Sequence, residues 1–229
     1  MMVDDRALAV EQGILRLGLQ IGTEPVTAGQ WQLLLTLLPD AEAQKVQRYY
    51  HDKDRRLAVG SLLLQRAATS WVLGQRFKDV LIQRTQPHNK PFVDAGGTRL
   101  PGWNYNVSHH GEWVVLASEP LGAVGTDVVD LRDRPFEAMT APQYLEHFHR
   151  HLTPAEWDGL VGLASKGEAG QYRAFFRVWA MKEAYIKGVG LGLSFPIRRL
   201  ECSVLDVGED FVTRIGREGE EEELMMDGY

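Results

Sequence analysis

The sequence predicts an α/β (α+β) protein, in which helices and strands are mixed along a chain of 229 residues. Residues 175–193 have the apolar periodicity of a helix, whereas the apolar run at residues 123–131 is typical of a buried strand. Shorter strand-like segments lie between residues 80 and 118, and the turn residues 119–122 follow them. A chain of this length can form one large domain or two small ones.

The first half is expected to begin with a strand near residues 13–21. One helix follows at about residues 27–38 and ends before Pro39, and a second begins near Ala41. Asp54 is predicted to cap a longer helix that Gly74 ends. The apolar face of this helix is expected to consist of Leu57, Ser61, Leu64, Ala68 and Trp71. Strands are then expected at about residues 80–84, 103–107 and 113–118.

The second half is predicted to contain a helical region at about residues 142–151. Thr153-Pro-Ala-Glu156 has the pattern of a capping box with proline at the first helical position. The long helix that includes residues 175–187 comes next, and strands are expected near residues 199–204 and 211–215. Five glutamates between residues 218 and 223 predict a solvated tail or loop.

Composition indicates a globular, soluble protein, with 44% apolar and 24% charged residues. No apolar run is long enough for a membrane helix, and the first residues lack the pattern of a secretion signal. The lone Cys202 cannot form an internal disulfide, which fits a reducing, cytoplasmic location. A net charge of −6 argues against a nucleic-acid partner.

The long helix places a carboxylate and an ammonium on one stripe. Trp179, Glu183 and Lys187 are spaced at i, i+4 and i+8, and Lys182 lies beside Glu183 on an otherwise apolar and aromatic segment. An ordinary exposed ion pair would explain such a spacing equally well. Lys182 is expected either to contribute to the same site or to be a solvated or salt-bridged helix residue.

Asp127 lies inside the predicted buried strand, where a carboxylate is costly to desolvate unless it is paired or binds a metal. One carboxylate on a strand and another, Glu183, on a helix suit a Mg²⁺ ion shared with substrate phosphates. The two carboxylates are therefore candidate metal ligands.

Five sequence blocks resemble the 4′-phosphopantetheinyl transferases. Val124-Gly-Thr-Asp127 and Trp179-Ala-Met-Lys-Glu-Ala-Tyr-Ile-Lys187 resemble the paired signature of the surfactin-synthetase-activating type, which includes the eukaryotic aminoadipate-reductase-activating enzymes. Residues 104–117, 89–93 and 45–51 resemble three further blocks, and all five occur in the expected order over roughly residues 40–200.

The resemblance implies a fold of two similar α/β halves related by a pseudo-twofold axis. Residues 1–122 would form the half that binds coenzyme A, and residues 123–229 the half with the metal site and the motif helix. Bacterial members have a second acid two residues after the aspartate, but Val129 stands there in this chain, as in eukaryotic members. Asp130 is next in the sequence and is expected to be a strand-end cap or surface acid rather than a metal ligand.

The activity that the resemblance implies is that of a holo-[acyl-carrier-protein] synthase. Such an enzyme transfers the phosphopantetheine arm of coenzyme A to a serine of an apo-carrier protein and releases 3′,5′-ADP, with Mg²⁺. By resemblance, Asp127 and Glu183 would hold the metal, Lys187 would neutralise the pyrophosphate, and Glu183 or a water that it orients would be the base. The expected partners are acyl and peptidyl carrier proteins and aminoadipate reductase; no nucleic-acid or membrane partner is expected, and the enzyme would be monomeric.

The resemblance also nominates residues for coenzyme A. Lys45 and Arg48 would meet its 3′-phosphate, Lys90 its adenine and ribose, and Ser108 and His109 its other phosphates. Two different functions remain open at this point. One is a non-catalytic homologue that only binds, and the other is a Mg²⁺-dependent phosphohydrolase that uses the same carboxylates on a nucleotide.

Overall fold

The computed structural model describes residues 5–132, 139–207, 210–217 and 220–224. The chain divides into two compact units: Met1–Asp130 with Lys187–Gly190, and Leu131–Ile186 with Leu191–Tyr229. The first unit therefore contains Asp127, which the sequence assigned to the second half. The assignment of coenzyme A to one half and of the metal to the other stays a prediction.

In the first unit, four helices and five strands are described. They are α1 (Asp5–Gln12), β1 (Leu15–Gln20), α2 (Ala28–Thr36), α3 (Asp40–Gln47), α4 (Asp52–Leu73), β2 (Gln83–Arg84), β3 (Pro91–Phe92), β4 (Asn104–His110) and β5 (Trp113–Glu119), with a short 3-10 helix at Phe77–Asp79. The predicted order of strand, three helices and further strands is confirmed from β1 onward, but α1 precedes the strand with which this half was expected to begin.

An antiparallel sheet and α4 enclose the core of the first unit. The sheet has the order β1-β5-β4, with Leu17 opposite Leu116 and Val107 opposite the same leucine on the other side. The buried apolar residues of α4 pack against it: Leu57, Leu64, Ala68 and Val72. The two-residue strands β2 and β3 pair with each other. One face of this sheet packs against α4. The opposite face contacts the segment that follows β5.

The ends of α4 correct one prediction and confirm another. The helix begins at Asp52 with His51 as its N-cap, so Asp54 lies in the first turn, where a carboxylate is favoured by the helix dipole, and is not the cap. Gly74 ends the helix in the left-handed conformation, as predicted. Trp71 is 54% exposed, contrary to expectation, because Val72 takes the next core position four residues after Ala68.

Two predicted strands of the first unit are wrong in extent. Residues 80–84 contribute only the two-residue β2, since Val80 follows the 3-10 helix and is buried without strand pairing. Residues 123–130 form no regular secondary structure, and Val124 alone among them is fully buried. The apolar run is therefore an irregular segment, which is held by side chains of β4, as described below.

In the second unit, three helices and three strands are described. They are α5 (Ala141–Glu146), α6 (Pro154–Gly162), α7 (Gly167–Val189, whose end belongs to the first unit), β6 (Leu200–Val207), β7 (Asp210–Arg217) and β8 (Glu220–Leu224), with 3-10 helices at His149–His151, Leu163–Lys166, Gly192–Ser194 and Ile197–Arg199. Thr153 and Glu156 form the predicted capping box at the start of α6.

The strands of the second unit form an antiparallel sheet of order β6-β7-β8. The predicted solvated tail is wrong for residues 220–224, because they pair with β7 as a strand, with Arg217 opposite Glu220. Backbone pairing here overrides the low strand preference of glutamate. Glu218 lies outside the described residues.

Aromatic rings fill the core between α5 and α7. Phe148 lies 4.8 Å from Phe175 and 5.1 Å from Trp179, measured between ring centroids. Trp179 is half-buried and packs its ring against this aromatic cluster. The mixture of helices with antiparallel sheets confirms the α/β (α+β) class, and the pseudo-twofold relation stays a prediction. Within the described residues, no helix has the length and apolar character needed to cross a membrane.

Candidate active site

One face of β4 holds the Asp127 segment at three points. Alternate residues of a strand point to the same face, so every second residue from Asn106 can reach the same neighbour. Three hydrogen bonds result: the Thr126 N–H donates to Asn106 Oδ1 at 3.0 Å, the Ser108 hydroxyl to Asp127 Oδ1 at 2.8 Å, and the Asp130 N–H to His110 Nδ1 at 2.7 Å. Asp127 is therefore placed by side chains and not by a strand ladder, which is why its backbone is irregular.

The end of α7 approaches this segment closely. A Cβ atom added to Gly188 would lie 3.2 Å from the backbone nitrogen of Gly125, nearer than most side chains tolerate. Glycine at position 188 lets the two backbones meet. The neighbouring Lys187 is thereby brought to Asp127.

Lys187, Ser108 and Asp127 form a charged cluster within the first unit. The Lys187 ammonium donates to Ser108 Oγ at 2.9 Å and makes an ion pair with Asp127 Oδ1. The Ser108 hydroxyl thus accepts a hydrogen bond from the lysine and donates one to the aspartate, so it acts as both acceptor and donor. The Lys187 side chain is 33% exposed and that of Asp127 is 10% exposed. A ligand can therefore reach the ammonium.

Lys90 supports the same end of α7. Its ammonium donates to the carbonyl of Gly188 at 3.0 Å, where the negative end of the helix dipole favours a cation. Burial lowers the pKa of Lys90 from its ordinary value. The structure thus shows Lys90 at a helix terminus, and its expected contact with adenine and ribose stays a prediction.

A pocket of about 150 Å³ lies between α3, α4 and the sheet of the first unit. Lys45 and His109 face it, as does Arg84, and the rest of the lining is Glu42, Val46, Tyr49, Ala58, Ser61, Leu62 and Ile82. Arg48 is not part of this lining; it is exposed and forms the C-cap of α3. The pocket therefore combines cations with an apolar wall, a composition suited to a phosphorylated organic ligand.

Ser108 and His109 are adjacent on β4, so their side chains point to opposite faces of the strand. Ser108 contacts Asp127, whereas His109 lines the pocket. Burial lowers the pKa of His109, and the charges of Lys187 and His110 lower it further, whereas Asp54 raises it. The imidazole is therefore predominantly neutral at pH 7. An anion bound nearby would favour its protonated form.

Sequence reasoning missed Arg84, Glu42 and Asn106. Glu42 and Lys45 are three residues apart on α3, a spacing that places them on one helix face. The Arg66 guanidinium, almost fully buried, donates to Glu42 Oε2 at 2.7 Å and so fixes this carboxylate. Asn106 could have been found by counting in steps of two from Ser108.

The two other charged residues of the motif segment Trp179–Lys187 belong to the second unit. Lys182 is fully buried and forms an ion pair with Glu156, which confirms the salt-bridged alternative. Glu183 is half-buried and lies one helical turn before Lys187 on α7. Among the described residues, no group of three or more His, Cys, Asp or Glu side chains is arranged to hold a metal ion.

Two family models match the chain. One describes the N-terminal region of 4′-phosphopantetheinyl transferases and matches residues 24–121. The other describes the 4′-phosphopantetheinyl transferase superfamily and matches residues 123–225. The first match contains the pocket, and the second contains both motif segments.

Curated relatives carry the same family name. L-aminoadipate-semialdehyde dehydrogenase-phosphopantetheinyl transferase from Pongo abelii is 29% identical over 214 residues, covering 91% of this chain and 68% of that protein. A phosphopantetheinyl transferase from a Thraustochytrium species is 31% identical over 166 residues, which cover 71% of this chain and 56% of that protein. The 4′-phosphopantetheinyl transferase of Bacillus subtilis is 28% identical over 187 residues, which cover 80% of this chain and 74% of that protein. The chain therefore belongs to the 4′-phosphopantetheinyl transferase superfamily and is a transferase of that class.

Proposed function

We propose that this protein transfers the 4′-phosphopantetheine arm of coenzyme A to a serine hydroxyl of an apo-carrier protein. The observation that carries the proposal is the cluster of Lys187, Ser108 and Asp127, which joins the two motif segments in one place. A partly exposed ammonium beside a carboxylate is suited to a pyrophosphate and its counter-ion.

The reaction moves a phosphoryl-linked group between two oxygens. The carrier serine oxygen forms a bond to the β-phosphorus of coenzyme A, and the bond from that phosphorus to the bridging oxygen breaks. The electron pair of the broken bond leaves with 3′,5′-ADP, and a base takes the serine proton. Negative charge grows on the bridging oxygen, so a fixed cation there lowers the barrier. Lys187 supplies this cation, and Glu183 or a water that it orients is the proposed base.

Mg²⁺ fits the oxygen ligands that this chain offers. The contacts of Asp127 with Ser108 and Lys187 both use Oδ1, so Oδ2 can ligate a cation. We propose Asp127 and Glu183 as the ligands, because magnesium usually takes one or two carboxylates and completes its shell with phosphate and water. When bound, the ion would neutralise the pyrophosphate and draw electron density from its phosphorus.

The pocket in the first unit is the proposed site of the 3′-phosphate end of coenzyme A. Lys45, Arg84 and His109 face it and supply donors for an anion. Arg48 stands outside its lining and would act at longer range. Lys90 is proposed to lie near the adenine and ribose.

The proposed acceptors are acyl and peptidyl carrier proteins and an aminoadipate reductase domain. The last of these is supported by the name of the Pongo abelii relative. We further propose a cytoplasmic monomer, and the buried free thiol of Cys202 fits a reducing compartment.

The intact mass of an apo-acyl-carrier protein tests the proposal. Incubation with this protein, coenzyme A and Mg²⁺ is expected to add about 340 Da, the mass of the transferred arm. Asp127→Ala and Glu183→Ala are expected to abolish the addition, whereas Asp158→Ala, at an exposed acid on α6, is expected to retain it.

Two results would contradict the proposal. No mass increase on acyl, peptidyl and aminoadipate reductase carriers would indicate a homologue that only binds. Release of 3′,5′-ADP without any carrier, lost again in the Asp127 variant, would indicate a phosphohydrolase.

A further inference from the structure

The motif helix α7 carries a second ion pair, which the reaction does not use. Lys182 and Glu156 both have fully buried side chains, and the Lys182 ammonium donates to Glu156 Oε2 at 2.5 Å. Both residues lie in the second unit. Two opposite charges are rarely removed from water completely unless each is well satisfied.

The Glu156 carboxylate has a partner on each oxygen. Its Oε2 accepts from the Thr153 N–H at 2.8 Å as well as from Lys182, and its Oε1 accepts from the Cys202 N–H at 2.7 Å. Glu156 also lies in the first turn of α6, where the helix dipole favours a negative charge. The carboxylate therefore links the start of α6 to α7 and to β6.

The Lys182 ammonium is surrounded in the same way. Besides Glu156, it faces the carbonyl oxygens of His151 at 3.4 Å and Ile197 at 3.5 Å. Its three protons thus point to three different segments of the second unit. Rotation of α7 about its axis would break all of these contacts together.

A buried ion pair is a poor means of stabilising a fold, because two apolar residues of similar volume are often at least as stable. What the pair provides is one defined rotation of α7 about its axis. Successive residues of a helix are about 100° apart around its axis, so fixing Lys182 fixes the direction of the next side chain, Glu183.

We propose that Glu156 and Lys182 are positioning residues that set the rotation of α7 and so aim the Glu183 carboxylate. Neither residue touches substrate in this proposal, and both act through the helix. The inference rests on the proposed function, since Glu183 is the proposed metal ligand and base.

The test removes both charges at once with the double variant Glu156→Gln/Lys182→Met, which leaves no buried charge unpaired. We expect kcat for carrier modification to fall about tenfold or more, because small errors in geometry are costly to rate, while KM for coenzyme A stays within about twofold. Leu160→Ala is the matched control: this buried residue of α6 supplies none of the hydrogen bonds of the pair, and its loss lowers Tm without changing kcat. A double variant with wild-type kcat would overturn the proposal.

A milder variant covers the case in which the double variant does not fold. Glu156→Asp keeps both charges but withdraws the carboxylate by one methylene. We expect its kcat to fall several-fold at a temperature well below its Tm, whereas Leu160→Ala of comparable Tm keeps the wild-type value. Wild-type kcat in Glu156→Asp would contradict the proposal just as clearly.

Hydrogen exchange separates this inference from the proposed function. Amides of residues 180–186 are expected to exchange about tenfold faster in the folded charge-pair variants than in Leu160→Ala, because the helix is less well held. This measurement needs no turnover, so an inactive wild-type protein would refute the transferase proposal alone. Unchanged exchange in these amides would refute the positioning role.

Discussion

Helix α7 bears two lysines five residues apart, and each is paired with a carboxylate from another element. Lys187 meets Asp127 in the first unit with 33% of its side chain exposed, whereas Lys182 meets Glu156 in the second unit with no exposure at all. The sequence left the role of Lys182 open between the site of Lys187 and a salt bridge. Their surroundings distinguish the two lysines.

The difference lies in how completely each pair is satisfied. Glu156 has hydrogen-bond partners on both oxygens, and Lys182 faces a carboxylate and two carbonyls, so nothing else can bind there. Asp127 shares one oxygen between Ser108 and Lys187, and water reaches the lysine. A phosphate can therefore compete for Lys187 but not for Lys182. One pair holds the helix and the other is available for chemistry.

The largest expected effect comes from replacing each lysine by methionine. Lys182→Met leaves Glu156 charged, buried and unpaired, so the free energy of unfolding should fall by about 3–5 kcal/mol. Lys187→Met leaves the nearly buried Asp127 with its hydrogen bond from Ser108, so the loss should be smaller, about 1–2 kcal/mol. Urea denaturation of the two variants measures both values.

Activity is expected to respond to Lys187 more directly. Lys187→Met should lower kcat by about 10²–10³-fold, because a cation at the leaving oxygen is lost. The carrier mass assay, run below the Tm of both variants, measures this. Equal stability losses for the two lysines would break the contrast between a structural and a functional pair.

Much of this organisation could be predicted from local pattern. The capping box at Thr153, the αL end of α4 at Gly74 and the long helix before Gly190 each depend on a few neighbouring residues, and each was confirmed. The Asp127 run could not be predicted correctly, since its apolar composition resembles a strand. Its backbone is instead held by Asn106, Ser108 and His110, which are distant in sequence.

The same reason explains what was missed in the site. The role of Lys182 depends on Glu156, which lies 26 residues earlier in the chain. The grouping of Lys45 with His109 depends on the packing of α3 against the sheet. Periodicity gives the face on which a residue lies, but not which distant residue will meet that face.

The second largest effect concerns the support of Asp127. Asn106→Ala removes the acceptor for the part-buried Thr126 N–H, and the loss of this hydrogen bond should cost about 1 kcal/mol. We expect, in addition, that a several-fold higher Mg²⁺ concentration is needed for half-maximal rate, because the carboxylate is less well placed. Thermal unfolding and a Mg²⁺ titration of the rate measure the two effects.

Asn104→Ala is the matched control for that variant. Asn104 lies on the same strand but donates to the carbonyls of Glu119 and Gly122, away from Asp127. It should lower stability and leave the Mg²⁺ requirement unchanged. If both asparagine variants shift the requirement alike, the three-point attachment by β4 does not position Asp127.

A smaller effect is expected to distinguish Lys45, on α3, from Arg48, the C-cap residue of that helix. Lys45→Ala should weaken coenzyme A binding about tenfold, because it removes a cation from the pocket wall. Arg48→Ala should weaken binding by no more than about twofold, since an exposed charge outside the lining is screened by salt. Isothermal titration at two salt concentrations provides both numbers. Equal losses would show that the pocket does not hold the 3′-phosphate.

The smallest effect is expected from the titration of His109. Its folded pKa is lowered by burial and by Lys187 and His110, against the opposing charge of Asp54; Lys45, Arg84 and Glu42 also line the pocket that it faces. A depressed pKa means that the unfolded chain takes up the proton first. The contribution of His109 to stability is therefore complete above its ordinary pKa of about 6.5 and is lost as the pH falls towards the folded value.

His109→Gln removes this titration while keeping a polar side chain. Between about pH 6.5 and pH 5, the wild-type protein should lose more unfolding free energy than the variant, and above pH 7 the difference between them should be constant. Urea denaturation at half-unit pH intervals measures the two curves. Parallel curves through the acidic range would mean that folding leaves the proton affinity of His109 unchanged. A steeper loss in the variant would mean that the folded protein favours the imidazolium, as it would if Asp54 outweighed Lys187 and burial.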